Sequence, residues 1–77
     1  MGKWEERIDA RARADFKEAF ICSLEILNRK GSKRLMAQEI EGCCDDLAAL
    51  GKYHELPENF RQFSVYGQRD ILNKVVL

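Results

Sequence analysis

The first 29 residues carry a helical hydrophobic pattern that no glycine or proline interrupts after Gly2. Alanine recurs, β-branched residues are few, and apolar side chains return at steps of three and four residues, the repeat of one helix face. This stripe consists of Trp4, Ile8, Ala12, Phe16, Phe20, Ser23 and Leu27. Opposite charges four residues apart suit an exposed opposite face, and these pairs are Asp9 with Arg13, Arg11 with Asp15, and Glu25 with Arg29. The pattern predicts one long helix over residues 3–29.

The second half of this predicted helix is apolar around most of its circumference. Between Ala19 and Leu27 only Ser23 and Glu25 are polar. A helix of this kind needs cover on more than one side, and a chain of 77 residues has little other structure with which to cover it. We therefore expect a homodimer that buries the apolar half of helix one.

A turn and a second helix follow. Gly31 suits the position after a helix end, and Ser32 suits the N-cap of the next helix. Apolar residues then recur at the steps of a coiled-coil seam, namely Met36, Ile40, Cys43, Leu47 and Leu50. We predict a helix over residues 32–50, ended by Gly51, that packs against helix one.

The last third of the chain is less regular. The Leu56–Pro57 step favours an extended Leu56, with Pro57 opening a short helical turn. Ser64 is a candidate cap for a final helix, although Gly67 lies inside it and the terminal Lys-Val-Val-Leu would also suit a strand. We predict a short third helical element over residues 57–76. The expected fold is thus all-α, a small helical bundle made of a long hairpin and this element, in one domain of residues 1–77.

Composition is typical of a folded protein, with 45% hydrophobic and 34% charged residues. The longest apolar-rich run, Ala19 to Leu27, is too short to span a membrane. The N-terminus lacks the apolar core of a signal peptide. Three cysteines, two of them adjacent, do not suit a disulfide framework. We expect a cytoplasmic protein with no membrane association.

Net charge is zero, but the charges are unevenly distributed. Residues 38–60 carry six acidic side chains and one basic side chain. The acidic residues of the second helix, Glu39, Glu41, Asp45 and Asp46, therefore form a predicted partner-binding face, since a lopsided surface selects an oppositely charged partner. The alternative is an ordinary solvated face.

A basic turn precedes that helix. Arg29, Lys30, Lys33 and Arg34 surround a helix N-terminus, where free N–H groups and the helix dipole already attract anions. The turn is a candidate contact for phosphate, nucleic acid or an acidic protein surface. As a nucleic-acid contact it would be presented by a dimer. The alternative is that these cations complement the end of helix one and keep the turn soluble.

A helix-turn-helix around Gly42 is disfavoured, because the segment that would contact DNA carries Asp45 and Asp46. We expect instead that Gly42 admits the close approach of Phe20 or Leu24.

Aromatic and arginine side chains cluster after Pro57. Phe60, Phe63 and Tyr66 alternate with Arg61 and Arg69, a composition found in interface hot spots and in base-stacking platforms. We assign Phe60 and Phe63 to the core. Arg61, Tyr66 and Arg69 are predicted surface contacts.

No motif for catalysis, a cofactor or a metal stands out. Cys43, Cys44 and His54 are the only soft-ligand group and lack a fourth zinc ligand. His54 has no nucleophile or paired carboxylate at a useful spacing. Cys43 suits the core, and Cys44, if exposed, would be the reactive thiol.

We therefore expect no enzyme activity, no cofactor and no metal. The leading hypothesis is a small protein–protein interaction module, an adaptor or inhibitor from a phage or other mobile element, that acts by covering a partner's surface. The alternative is a nucleic-acid-binding regulator that uses the basic turn of residues 29–34.

Overall fold

The computed structural model describes residues 2–77, which form four α-helices and two short 3-10 helices. The α-helices are α1 (Lys3–Ala12), α2 (Phe16–Arg29), α3 (Lys33–Ala49) and α4 (Val65–Asn73), and the 3-10 helices are Tyr53–Glu55 and Phe60–Gln62. Helix accounts for 74% of the structure and no strand occurs in the described range, which confirms the all-α fold class. The hairpin of α2 and α3 lies at the centre, α1 packs chiefly on α2, and α4 packs on α3 and α2.

The predicted first helix is wrong in one respect, because it is two helices joined by a reversal at residues 13–15. Ala14 has φ +58°, a left-handed conformation that costs a non-glycine residue about 1–2 kcal/mol. Asp15 offsets this cost by capping α2, since its Oδ1 accepts a hydrogen bond from the Glu18 amide at 3.2 Å. The Asp15 amide also donates to the Ala10 carbonyl at 2.8 Å, which closes the turn.

Because the chain reverses at residues 13–15, α1 packs on α2 and supplies part of the cover that the apolar α2 needs. The buried residues of α2 include Ala19, Phe20, Cys22, Ile26 and Leu27. Ile21, at 37% exposure, is the largest apolar side chain of α2 left at the surface. Within one chain α1, α3 and α4 bury most of this segment, so α2 needs no second subunit for cover. A homodimer through this segment stays a prediction.

The second predicted helix is confirmed, with small differences at its ends. The seam residues Met36, Ile40, Cys43 and Leu47 are buried, and Leu50 is half-buried. Ser32 caps α3 by accepting a hydrogen bond from the Leu35 amide at 3.2 Å, and Gly51 follows the helix with φ +71°. Because α3 continues through Gly42, it contains no helix-turn-helix.

The third predicted element divides into the second 3-10 helix and α4. Ser64 caps α4 by accepting from the Gly67 amide at 3.2 Å. Residues 74–77 lie beyond the helix, where Val75 and Leu77 pack on the core. Phe60 is buried at 2% exposure as predicted, whereas the core assignment of Phe63 is wrong because 43% of it is exposed. Across residues 2–77, no helix is both long and apolar enough to cross a membrane.

Candidate interaction surfaces

Two arginines of α1 point into the protein and clamp the helix to α3. Arg7 is 5% exposed, and its Nη1 donates to Glu39 Oε2 and to Ser23 Oγ. Arg11 donates from Nε and Nη2 to the two carboxylate oxygens of Asp46, at 3.1 and 3.0 Å. Ser23 links the two ion pairs by donating to Asp46 Oδ2 at 3.3 Å. This cluster determines how α1 is rotated about its axis, since buried charges require their partners.

Gly42 provides the space that Arg11 needs to reach α3. A Cβ atom at Gly42 would lie 3.2 Å from Arg11 Nη2. The predicted approach of Phe20 or Leu24 is therefore wrong, because the group against this glycine is the guanidinium of α1. Hydrogen bonding to Asp46 raises the pKa of Arg11 above its ordinary value, so the guanidinium stays charged.

The four acidic residues of α3 that were predicted to form a partner-binding face do not form a continuous surface. Glu39 and Asp46 are 8% and 2% exposed and are occupied by the arginines of α1. Glu41 is exposed and pairs with Arg61, whose Nη1 lies 2.5 Å from Glu41 Oε1. Asp45 alone of the four is exposed without an ion pair inside residues 2–77.

A signal for this outcome was present in the sequence. Glu39 and Asp46 are four residues before and three residues after the seam residue Cys43, which places both carboxylates on the packing side of α3. Their partners Arg7 and Arg11 are four residues apart, so they share one face of α1. Two carboxylates on one face of α3 and two arginines on one face of α1 suit paired burial, but only once α1 is known to fold back.

The inward arginines leave the largest apolar side chains of α1 in solvent. Trp4 is 56% exposed and Ile8 is 57% exposed. With the exposed Ala12 they stand at steps of four residues and form one continuous strip. We call this strip the α1 ridge (Trp4, Ile8 and Ala12). Exposed Glu5 and Asp9 flank it.

The structure brings two predicted surface groups together. None of the ion pairs within residues 2–77 includes the four side chains of the basic turn. Lys33 Nζ lies 5.6 Å from the centre of the Tyr66 ring, and Arg69 Cζ lies 5.5 Å from the same point. We call the combined surface the basic pole, which consists of Arg29, Lys30, Lys33, Arg34, Tyr66 and Arg69. Arg61 is not part of it, because Arg61 pairs with Glu41 on α3.

The surface of the described residues carries several small depressions. Three of them have volumes of about 250, 260 and 300 Å³, and none is lined by histidine or cysteine. One lies between α1 and the end of α2, where Trp4 faces Arg29 and Lys30.

The cysteines are all free and buried. Burial raises the pKa of the Cys43 thiol far above its ordinary value, and burial also raises that of Cys44, which is only 3% exposed. Cys44 is therefore not the exposed, reactive thiol considered from the sequence. His54 lies exposed in the first 3-10 helix. The described residues contain no group of three or more side chains that could hold a metal ion.

The chain is thus a small all-α bundle with an internal ionic clamp and two distinctive surfaces. Comparison with protein-family models, curated proteins and solved structures finds no match to it. Its function has to be inferred from the α1 ridge and the basic pole.

Proposed function

We propose that this protein is a non-enzymatic protein–protein interaction module that binds its partner through the α1 ridge. The observation that supports this proposal is the orientation of α1, which directs Arg7 and Arg11 to the carboxylates of α3 and leaves Trp4 and Ile8 exposed. The partner binds by covering the ridge, and the module acts as an adaptor or inhibitor by occupying that partner's surface. Three buried, free cysteines suit a reducing compartment such as the cytoplasm.

The ionic cluster fixes this orientation of α1 at the expense of apolar burial. Full burial of a large apolar side chain is worth about 1.5–3 kcal/mol relative to exposure, and Trp4 and Ile8 forgo much of that gain. Buried ion pairs, by contrast, often contribute no more than apolar residues of the same volume. A second molecule that covers the ridge would recover the apolar burial that Trp4 and Ile8 lack, and tryptophan is among the residues enriched in interface hot spots.

The ridge also indicates what kind of partner surface fits it. Anchors at steps of four residues on one helix suit an apolar groove. Glu5 and Asp9 beside the anchors favour basic residues along the rim of that groove. The Arg7 guanidinium lies 4.6 Å from the centre of the Trp4 ring, which holds the main anchor in place before binding.

The test compares the wild-type chain with Trp4→Ala/Ile8→Ala. The matched control is Tyr53→Ala/Val76→Ala, which removes exposed apolar side chains elsewhere. A partner captured by the wild type from the native host is identified by mass spectrometry, purified and titrated against each variant. We expect the ridge variant to bind about 100-fold more weakly or worse and the control to bind as the wild type does. Trp4 fluorescence should shift to shorter wavelength on binding.

Two outcomes would contradict the proposal. One is equal affinity of the wild type and the ridge variant for the purified partner, with both shown to be folded by circular dichroism. The other is self-association of the wild type in light scattering that the ridge variant abolishes, because the ridge would then be covered by a second copy.

A further inference from the structure

The basic turn is unusual in lacking carboxylate partners. Elsewhere in the described chain Lys3 pairs with Glu25, and Arg13 pairs with Asp9. The turn instead concentrates four cations within residues 29–34 that form no ion pair with residues 2–77. Lys33 and Arg34 also stand in the first turn of α3, where positive charge is unfavourable. The helix dipole therefore disfavours Lys33 and Arg34, and an anion bound beside them would offset their positive charge.

An exposed aromatic ring lies at the side of the cluster. Tyr66 is 43% exposed and has Lys33 and Arg69 beside it. The only carboxylate near Arg69 within residues 2–77 is that of Asp70, at 3.6 Å. A ring with adjacent cations can stack a base while the cations contact the phosphates on either side of it.

The ring is also held in place relative to the turn. Asn28, near the end of α2, and Asn73, at the end of α4, exchange two amide hydrogen bonds of 2.9 and 3.0 Å. Lys33 meets Tyr66 near the opposite end of α4. Because both ends of α4 are tied to this region, the stacking surface is preorganised.

We infer that the basic pole is a binding site for single-stranded nucleic acid, with phosphates on residues 29–34 and a base on Tyr66. This site uses residues other than those of the α1 ridge, although Trp4 borders Arg29 and Lys30 at one depression. Duplex DNA fits poorly, because Glu41 and Asp45 are exposed further along α3 and would face its phosphates. An acidic peptide would use the cations but has no general need of the tyrosine ring.

The test measures fluorescence anisotropy of labelled oligo(dT) and oligo(U), each of about 12 nucleotides, with the full chain. Neutralisation of four phosphates predicts that log K falls with log salt with a slope of about −3. We expect Tyr66→Ala to weaken binding by about fivefold or more, and Tyr66→Phe to preserve it because the ring remains. The two oligonucleotides show whether the site prefers DNA or RNA.

Lys33→Glu should weaken binding about tenfold or more, since it reverses a charge at the site. Its matched control is Lys17→Glu, the same charge change at an exposed lysine that forms no ion pair within residues 2–77. That control should change affinity by less than about twofold at physiological salt.

Absence of oligonucleotide binding at about 50 mM salt would overturn the inference. A loss of affinity in Lys17→Glu as large as that in Lys33→Glu would also overturn it. So would equally tight binding of heparin or duplex DNA that is unaffected by Tyr66→Ala, because the site would then attract any polyanion. Ile8→Ala should leave oligonucleotide affinity unchanged, because Ile8 belongs to the α1 ridge but does not line the depression that Trp4 shares with Arg29 and Lys30. This inference and the proposed function can therefore fail separately.

Discussion

Replacing Arg7 by alanine tests most directly how α1 is held. The side chains of Arg7 and Glu39 are 6% and 10% exposed, so neither charge is screened by water. Arg7→Ala leaves the Glu39 carboxylate buried without its counter-charge. Removing one partner of a buried pair typically costs about 3–5 kcal/mol.

That cost is large for a chain of 77 residues, whose total stability is expected to be about 4–12 kcal/mol. Arg13→Ala is the matched control on the same stretch of chain. Arg13 and Asp9 are 57% and 63% exposed, so loss of their pair should cost less than about 1 kcal/mol.

The double variant Arg7→Met/Glu39→Leu separates loss of the pair from loss of packing. Replacing a buried pair by apolar residues of similar volume is often neutral or stabilising. Arg7 Nε has no hydrogen-bond partner in residues 2–77, which adds to the cost of keeping the arginine buried. We expect the double variant to recover most of the stability lost in Arg7→Ala.

Urea unfolding measures these free energies by circular dichroism, and Trp4 fluorescence follows α1 separately because Trp4 is the only tryptophan. We expect Arg7→Ala to lower the midpoint in both signals, with the Trp4 signal changing first if α1 detaches before α2 and α3 unfold. A cost for Arg7→Ala no greater than that of Arg13→Ala would refute the argument that the buried pair holds α1.

Two further predictions concern the turn and the thiols. Ala14→Gly removes the strain of an alanine in the left-handed conformation and offsets part of that gain by making the unfolded chain more flexible. The midpoint of thermal unfolding should therefore rise by roughly 5 °C. A lower midpoint would show that the turn is not strained. A disulfide reagent at mildly alkaline pH should react slowly with the native protein and rapidly in urea, because Cys22, Cys43 and Cys44 are buried and burial raises their pKa values. Rapid reaction of one thiol under native conditions would count against this packing.

Several parts of the fold were predictable from the sequence because they depend on local interactions. The caps at Ser32 and Ser64 are set by a side chain and an amide three residues away. The reversal at Ala14 was missed because no glycine or proline marks it. The sequence does carry a signal for it, because Asp15 and Glu18 stand just before an apolar run in the spacing of a helix N-terminal cap. The high helix propensity of the surrounding residues nevertheless favoured a continuous helix.

By itself the sequence determined that the chain is helical, that α3 packs through its seam, and that the basic turn lies between α2 and α3. Only the tertiary structure decided which side of α1 faces inward. Hydrophobic periodicity placed Trp4 and Ile8 in the core, yet the buried carboxylates of α3 require positive partners. Those partners are Arg7, which is 32 residues from Glu39 along the chain, and Arg11, which is 35 residues from Asp46. The helix is oriented by contacts that no local pattern contains, and the α1 ridge is the result.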